Sequence, residues 1–240
     1  MAGAAPVAPQ APGRPLAVAH RGDPYRVREN TLASLRSAVA AGADAVEYDV
    51  RLTRDGVPVL LHDATLKRLW GYDMPLAALD YAEVQRRTGG GVPTLRSALK
   101  VMAEGDPSVR SFIDLPTADA AAATVTEVHA SGAAERVYYC GAAEALLVVR
   151  EADEAAEVAL PGRHGGTHYP PLVAALRPRW LNFRWGHVTP HVVRRAHESG
   201  YLVSCWTVDW ERNMRKLRDM GVDSITSNRI AGLRRVLDER

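Results

Sequence analysis

The sequence predicts an α/β fold, a (β/α)8 TIM-type barrel with a short insertion after the second strand. From Pro15 onward, short apolar runs that favour strands alternate with amphipathic runs that favour helices, as in parallel βαβ units. The length of 240 residues suits one barrel domain. A doubly wound open sheet is the alternative, but neither G-x-G-x-x-G nor a Walker-type loop follows the first apolar run.

The sequence contains one more candidate strand than an eight-stranded barrel needs. Nine apolar runs qualify as strands: 15–20, 45–52, 57–62, 111–115, 136–140, 157–160, 180–185, 202–208 and 223–227. The second and third runs are joined by only four residues, 53–56, which contain an Asp-Gly turn signal. A parallel crossover needs about a dozen residues. We therefore predict a hairpin between these two runs and an insertion over about 63–92, before a helix capped by Thr94. The clearest other helices are predicted at 31–41, 190–199, 210–220 and 230–239.

Composition restricts the compartment and the partners. Residues 1–14 are rich in Ala and Pro without a secretory-signal pattern, so we expect a disordered leader, a single domain over 15–240 and a cytoplasmic protein. The sequence contains no run of 18 apolar residues, so we predict no membrane span. A net charge of +2 gives no sign of a nucleic-acid partner, and the basic run 211–218 is interpreted as a solvated helix face. Cys140 and Cys205 lie in apolar runs and are predicted to be buried free thiols.

Carboxylates mark the second predicted strand. Glu47 and Asp49 are two residues apart, so they share one face of that strand. Two acids among apolar neighbours are costly to bury unless a cation pairs with them, and carboxylate oxygens suit Mg²⁺, Ca²⁺ or Mn²⁺. The alternative is a solvated strand end. Asp114 closes the strand after the insertion and is a candidate third ligand at the same barrel mouth.

Two histidines follow apolar runs directly. His20, with Arg21 beside it, ends the first predicted strand, and His62 ends the third. Two histidines can divide general acid and general base work near neutral pH, although each can also be a structural residue bonded to a loop carbonyl. His164 and His168 are four apart but stand in a Gly/Pro-rich loop, which argues against a zinc site.

Taken together, these motifs resemble one enzyme family. The segments A-H-R-G (19–22), E-N-T (29–31), residues 42–63 and P-T-L (93–95) closely resemble the glycerophosphodiester phosphodiesterases. That resemblance implies a divalent ion, Ca²⁺ or Mg²⁺ or possibly Mn²⁺, on Glu47, Asp49 and Asp114. It also implies proton exchange by His20 and His62, a phosphate contact from Arg21, and a substrate contact from Trp206. Asn30 would donate either to a phosphate or to the site's own loop.

The activity implied by the resemblance is metal-dependent hydrolysis of small glycerophosphodiesters, such as deacylated phospholipid headgroups, to glycerol 3-phosphate and an alcohol. This would place the enzyme in lipid metabolism. The alternatives are a phosphodiesterase acting on lysophospholipids, or a silent barrel that binds a phosphodiester. The sequence departs from the family pattern in three places: Pro116 stands where lysine is frequent, Arg28 replaces a proline, and Thr-Ser-Asn (226–228) stands where the family often shows T-D-x-P, so the aspartate is lost. Arg184 or Lys67 could replace the missing lysine charge, and the acid and base roles of the histidines stay open.

Overall fold

A computed structural model describes residues 13–162 and 170–239 of the chain. Eight parallel strands form a closed barrel, because the first strand pairs with both the last strand and the second. The strands are β1 (Leu16–Ala19), β2 (Ala45–Leu52), β4 (Arg110–Leu115), β5 (Val137–Gly141), β6 (Glu157–Pro161), β7 (Trp180–Arg184), β8 (Leu202–Trp206) and β9 (Ser224–Ser227). The short β3 (Pro58–Leu60) runs antiparallel to β2. The predicted barrel and hairpin are therefore confirmed.

Helices cover the outside of the barrel. They are α1 (Leu32–Ala40), α2 (Lys67–Trp70), α3 (Tyr81–Thr88), α4 (Leu95–Glu104), α5 (Ala121–Ala130), α6 (Ala143–Ala152), α7 (Pro170–Leu176), α8 (Pro190–Glu198), α9 (Glu211–Asp219) and α10 (Ile230–Asp238). Thr31, Thr94 and Thr189 cap α1, α4 and α8, each with a side-chain oxygen that accepts from a backbone N–H of the first turn. These caps satisfy donors that a helix start would otherwise leave unpaired.

The core has two layers that follow the alternation along each strand. On β2, Val46, Tyr48 and Val50 pack between the strands and the helices, whereas Ala45 joins the barrel interior. Glu47 and Asp49 share the inward face with Ala45 because side chains two apart point the same way. Apolar side chains fill the interior near the amino ends of the strands, with Phe112 stacked on Tyr138 at 4.2 Å. The carboxyl end is left to polar groups.

The segment after β3 packs around its own small apolar cluster. The members are Val59, Leu61, Leu66, Leu76, Leu79, Val84 and Val92. It contains α2, α3 and a 3₁₀ turn at Leu76–Ala78. This segment rises from the hairpin at the carboxyl end of β2 and thus stands at the barrel mouth.

The cysteines, the basic run and the described helices bear on the predictions from composition. Cys140 and Cys205 are buried free thiols. The basic run 211–218 lies on α9, which buries Met214 and Leu217 and turns its charges outward. None of the described helices is long and apolar enough to cross a bilayer. His164 and His168 lie outside the described residues, as does most of the expected leader, and the cytoplasmic location stays a prediction.

Candidate active site

Three carboxylates meet at the mouth of the barrel. Glu47 and Asp49 come from β2, and Asp114 comes from β4, where it lies beside Asp49 in the parallel register. Ligand oxygens of the three residues all lie within 4.8 Å of one another. Glu47 is 4% exposed and Asp49 is 2% exposed. Within the described part of the chain, this is the one group of three acidic, histidine or cysteine side chains so arranged.

The electrostatics of this cluster favour a bound cation. Burial raises the pKa of Glu47, and repulsion from Asp49 and Asp114 raises it further. Burial and the Asp49 charge likewise raise the pKa of Asp114 to about 7. Crowded buried carboxylates must hold protons or a cation, because like charges in a low dielectric repel strongly. Three carboxylate ligands fit a hard divalent ion such as Mg²⁺, Ca²⁺ or Mn²⁺.

His20 stands beside the cluster and is held by Asn228, which is itself held by Asp209. Its Nδ1 lies 2.7 Å from Oδ1 of Asn228. The amide orientation of Asn228 is set by Asp209, which accepts from Asn228 Nδ2 at 2.7 Å and from its backbone N–H at 2.9 Å. Because a carboxylate only accepts, the amide oxygen must face His20, and His20 Nδ1 must carry the proton. Its Nε2 then lies 3.9 Å from Glu47 Oε2.

The protonation of His20 follows from its surroundings. Burial lowers the pKa of His20, and the positive charge of Arg21 lowers it further. A neutral imidazole with Nδ1–H leaves Nε2 as an acceptor. In the sequence, Asn228 is marked only by its departure from the family pattern, and nothing marks Asp209. No local motif links these residues to His20.

The loop after β1 positions the acids through Arg21 and Asn30, both in the left-handed region at φ 54°. The Arg21 backbone N–H donates to Glu47 Oε2 at 2.8 Å, and its Nε lies 3.2 Å from Asp49 Oδ2. Asn30 Nδ2 donates to Asp49 Oδ2 at 2.7 Å, while Asn30 Oδ1 accepts from the Asp49 backbone at 3.2 Å. The Asn30 amide therefore donates to a carboxylate on β2 and not to the site's own loop, and its donation to a phosphate stays a prediction.

A glycine makes this loop possible, and its replacement should unfold the protein more easily. Gly22 has φ +86°, and a Cβ there would clash with Ser34. The Ser34 hydroxyl donates to the Arg21 carbonyl and accepts from the Asp23 N–H. We expect Gly22→Ala to lower the free energy of unfolding in urea by about 3 kcal/mol, from backbone strain plus overpacking. Gly56→Ala is the matched control, because Gly56 has φ +76° and open space around it, and should cost about 1 kcal/mol. Equal losses would contradict this account.

His62 belongs to a charged network that reaches into the insertion. His62 Nδ1 lies 2.6 Å from Asp63 Oδ1. Arg68, on α2, donates to Asp63 at 2.6 Å and to both oxygens of Glu29 at 2.7 and 3.0 Å. Glu29 in turn accepts from Arg21 Nη1 at 3.0 Å. The hydrogen bonds from Arg68 and His62 lower the pKa of Asp63 to about 2. One arginine of the insertion thus connects Arg21 with His62.

Arg68 and Glu29 were not predicted as site residues. Glu29 stands in the E-N-T motif and Asp63 follows His62, so the motifs marked their neighbourhood. Arg68 lies 39 residues from Glu29, and no periodic pattern connects the two.

The remaining predicted residues lie around the mouth. Trp206 ends β8 and is 41% exposed, with Arg184 of β7 opposite it in the register. Lys67 is held in an exposed pair with Asp73 at 2.6 Å. The neighbours whose positive charge lowers the pKa of Asp114 are His62, Arg21 and Arg51. Arg51 shares the inward face of β2 with Glu47 and Asp49 and donates to the His62 carbonyl at 2.7 Å. It supplies positive charge beside Asp114, where Pro116 supplies none.

Comparison with known proteins identifies the family. Residues 20–231 match the sequence model of the glycerophosphoryl diester phosphodiesterase family. A Mycobacterium tuberculosis protein named "probable glycerophosphodiester phosphodiesterase 2" is 33% identical over 95% of this chain and 92% of its own length. A crystal structure of a glycerophosphodiester phosphodiesterase from Parabacteroides distasonis is 26% identical, with a TM-score of 0.80 over 93% of this chain and 97% of that one.

A more distant structure shows the same fold with a ligand. The Oleispira antarctica phosphodiesterase, described in complex with the product sn-glycerol-3-phosphate, superposes with a TM-score of 0.83 at 22% identity, over 94% of this chain and 97% of that one. The family match spans nearly the whole barrel, including every residue of the mouth described above. The chain therefore belongs to the glycerophosphoryl diester phosphodiesterase family, a family of phosphoric diester hydrolases.

Proposed function

We propose that this enzyme hydrolyses glycerophosphodiesters to sn-glycerol 3-phosphate and an alcohol, with a divalent cation and two histidines. The observation that carries the proposal is the convergence of Glu47, Asp49 and Asp114 oxygens within 4.8 Å, beside His20, in a chain of this family. The M. tuberculosis relative carries the matching name, and the Oleispira structure holds sn-glycerol 3-phosphate.

Glu47, Asp49 and Asp114 would hold the cation. When bound, such an ion stabilises the negative charge that develops on the phosphoryl oxygens. Arg21 would share this work. Its Nη1 donates to Glu29 at 3.0 Å, and its Nε lies 3.2 Å from Asp49 Oδ2 without a hydrogen bond. The donors of the guanidinium that Glu29 does not use can donate to a phosphate oxygen.

The two histidines differ in how they are held, and this suggests their roles. His20 is neutral with Nδ1–H on Asn228, so its bare Nε2 can accept a proton from the attacking hydroxyl or water. His62 has Nδ1 on Asp63 and is 44% exposed on its side chain. It would present Nε2 to the leaving oxygen at the open side of the mouth, where the alcohol can depart. We propose His20 as general base and His62 as general acid.

The test is release of glycerol 3-phosphate from glycerophosphocholine by the purified protein. Parallel reactions would contain Ca²⁺, Mg²⁺, Mn²⁺ or EDTA. We expect turnover with at least one cation and none with EDTA, and we expect the same cation to raise the melting temperature, since it binds only the folded site. A folded protein that turns over no glycerophosphodiester with any of the three cations would overturn the proposal.

Arg68→Ala should lower kcat/KM by about 100-fold. The substitution releases the carboxylates of Glu29 and Asp63. Because these carboxylates hold Arg21 and His62, both side chains lose their fixed positions. Lys67→Ala is the matched control. It removes the neighbouring cation of the same helix, whose partner Asp73 is exposed, and should leave kcat/KM unchanged. Arg68→Lys should recover little activity, since a single ammonium cannot bridge both carboxylates in the same geometry. Equal losses in Arg68→Ala and Lys67→Ala would count against this role.

A further inference from the structure

Exposed aromatic side chains are concentrated on one sector of the barrel mouth. Among the described residues, six large hydrophobic side chains are exposed. Four of them lie on the ends of strands or the loops that follow: Tyr25 after β1, Trp185 after β7, and Trp206 and Trp210 at the end of β8 and after it. We call these four the aromatic rim. Tyr25 and Trp210 are each 62% exposed, and Trp206 and Trp185 are 41% and 39% exposed.

The aromatic rim is continuous around part of the mouth. The sheet order places β7, β8, β9 and β1 side by side. The carboxyl ends of parallel strands lie at one end of a barrel, so the loops that follow them are neighbours there. The loop after β9 contributes Arg229, whose guanidinium lies 4.8 Å from the Tyr25 ring centroid and 5.6 Å from that of Trp210. The active-site acids stand on β2 and β4, directly beyond β1.

The charge of this sector is positive. Arg184, Arg212 and Arg229 are exposed, and no carboxylate of the described residues lies within 4.0 Å of their guanidinium nitrogens. The two acids that flank Trp210 are already occupied. Asp209 binds Asn228, and Glu211 pairs with Arg215 and Arg235. Stacking on aromatic faces leaves the in-plane N–H donors of Arg229 available to an anion.

We propose that the aromatic rim docks the enzyme on an anionic phospholipid bilayer, with the active-site mouth turned toward the lipid headgroups. Trp and Tyr are the residues that settle at membrane–water interfaces, because each has an apolar ring and a polar atom. Arginines beside them are attracted to anionic lipids. A bilayer accounts for both features at once, whereas a soluble diester needs neither four exposed aromatic rings nor arginines outside the acid cluster.

Docking of this kind does not rest on the proposed function, since it can be measured without turnover.

The experiment is sedimentation of the whole protein with vesicles of phosphatidylcholine alone or mixed with phosphatidylglycerol. We expect binding to the mixed vesicles that weakens as salt is added, because salt screens the arginines. The Tyr25→Ser/Trp210→Ser variant should bind about tenfold more weakly or worse. Leu147→Ser is the matched control, since Leu147 is 40% exposed on α6 away from the mouth, and it should bind as the parent does.

A second pair of variants tests the charges. Arg212→Gln/Arg229→Gln should weaken binding to the mixed vesicles by about fivefold for each arginine. Arg36→Gln/Arg96→Gln removes the same charge from the exposed outer faces of α1 and α4 and should leave binding unchanged. All four variants should keep the parent's turnover of glycerophosphocholine, which separates docking from catalysis. Absence of binding to mixed vesicles, or equal losses in rim variants and controls, would overturn the proposal whatever the activity.

Discussion

Glu47→Gln is expected to lower kcat/KM by about 1,000-fold while leaving the fold intact or more stable. The carboxylate is one of three proposed cation ligands, and removal of one such electrostatic contact typically costs about 10²–10³ in rate. Glutamine keeps the volume, and its carbonyl oxygen can still accept the Arg21 N–H that Glu47 accepts at 2.8 Å. Because burial and repulsion raise the pKa of Glu47, the charge opposes folding when no cation is bound, and its removal should not destabilise the protein.

Glu157→Gln is the matched control for this substitution. Glu157 lies at the amino end of β6, where it accepts from Arg110 at 3.0 Å and from Trp180 at 2.6 Å. Although burial opposes its charge, the hydrogen bonds and charge of Arg110 bring the pKa of Glu157 below its ordinary value. Its carboxylate therefore stabilises the fold at neutral pH, and that contribution is lost as pH falls through the lowered pKa.

The two variants should separate activity from stability. Without the cation, Glu47→Gln should keep or raise the urea midpoint while it loses turnover and cation-induced stabilisation, whereas Glu157→Gln should lose stability but keep kcat/KM. The measurements are glycerol 3-phosphate release and urea unfolding, with and without the activating cation. Full turnover by Glu47→Gln would remove Glu47 from the proposed site.

Much of the barrel and of the acid cluster followed from local patterns. The period-2 alternation of β2 placed Glu47 and Asp49 on one face, and the same alternation in the structure sends Tyr48 to the outer layer. The Asp-Gly turn identified β3 as a hairpin strand, which reduced nine candidate strands to eight in the barrel. Asp114 was found because it ends the next parallel strand, and adjacent parallel strands end at the same side.

The supports of the site could not be predicted, because they join residues that no period or motif relates. Asn228 reaches His20 across 208 positions of sequence, and Arg68 reaches Glu29 across 39. Asn30 illustrates the same limit at short range. Its motif marked it as a site residue, but only the structure shows that both ends of its amide are used on Asp49. The aromatic rim is likewise a product of barrel closure, which makes β7, β8, β9 and β1 neighbours.

His20→Gln should lower kcat by about 10²–10⁴, the range for loss of a general acid or base. Glutamine at this position can still bond Asn228, so the loop should keep its geometry, but it cannot accept and release a proton. His129→Gln is the control, because His129 is a half-exposed histidine that pairs with Asp153 at 2.9 Å on the outer face of the barrel. It should retain full turnover.

A double-mutant cycle then tests whether Asn228 acts through His20. Asn228→Ala should lower kcat by about tenfold, since His20 loses the partner that fixes its Nδ1–H tautomer and ring orientation. In the His20→Gln background the same substitution should cost nothing further, because the proton it positions is already gone. Additive losses would mean that Asn228 contributes independently, for example by contacting the substrate. Full coupling, with no further loss from Asn228→Ala in the His20→Gln background, would instead place Asp209, Asn228 and His20 in one chain of hydrogen bonds, in which the two C-terminal residues orient the base proposed at the end of β1.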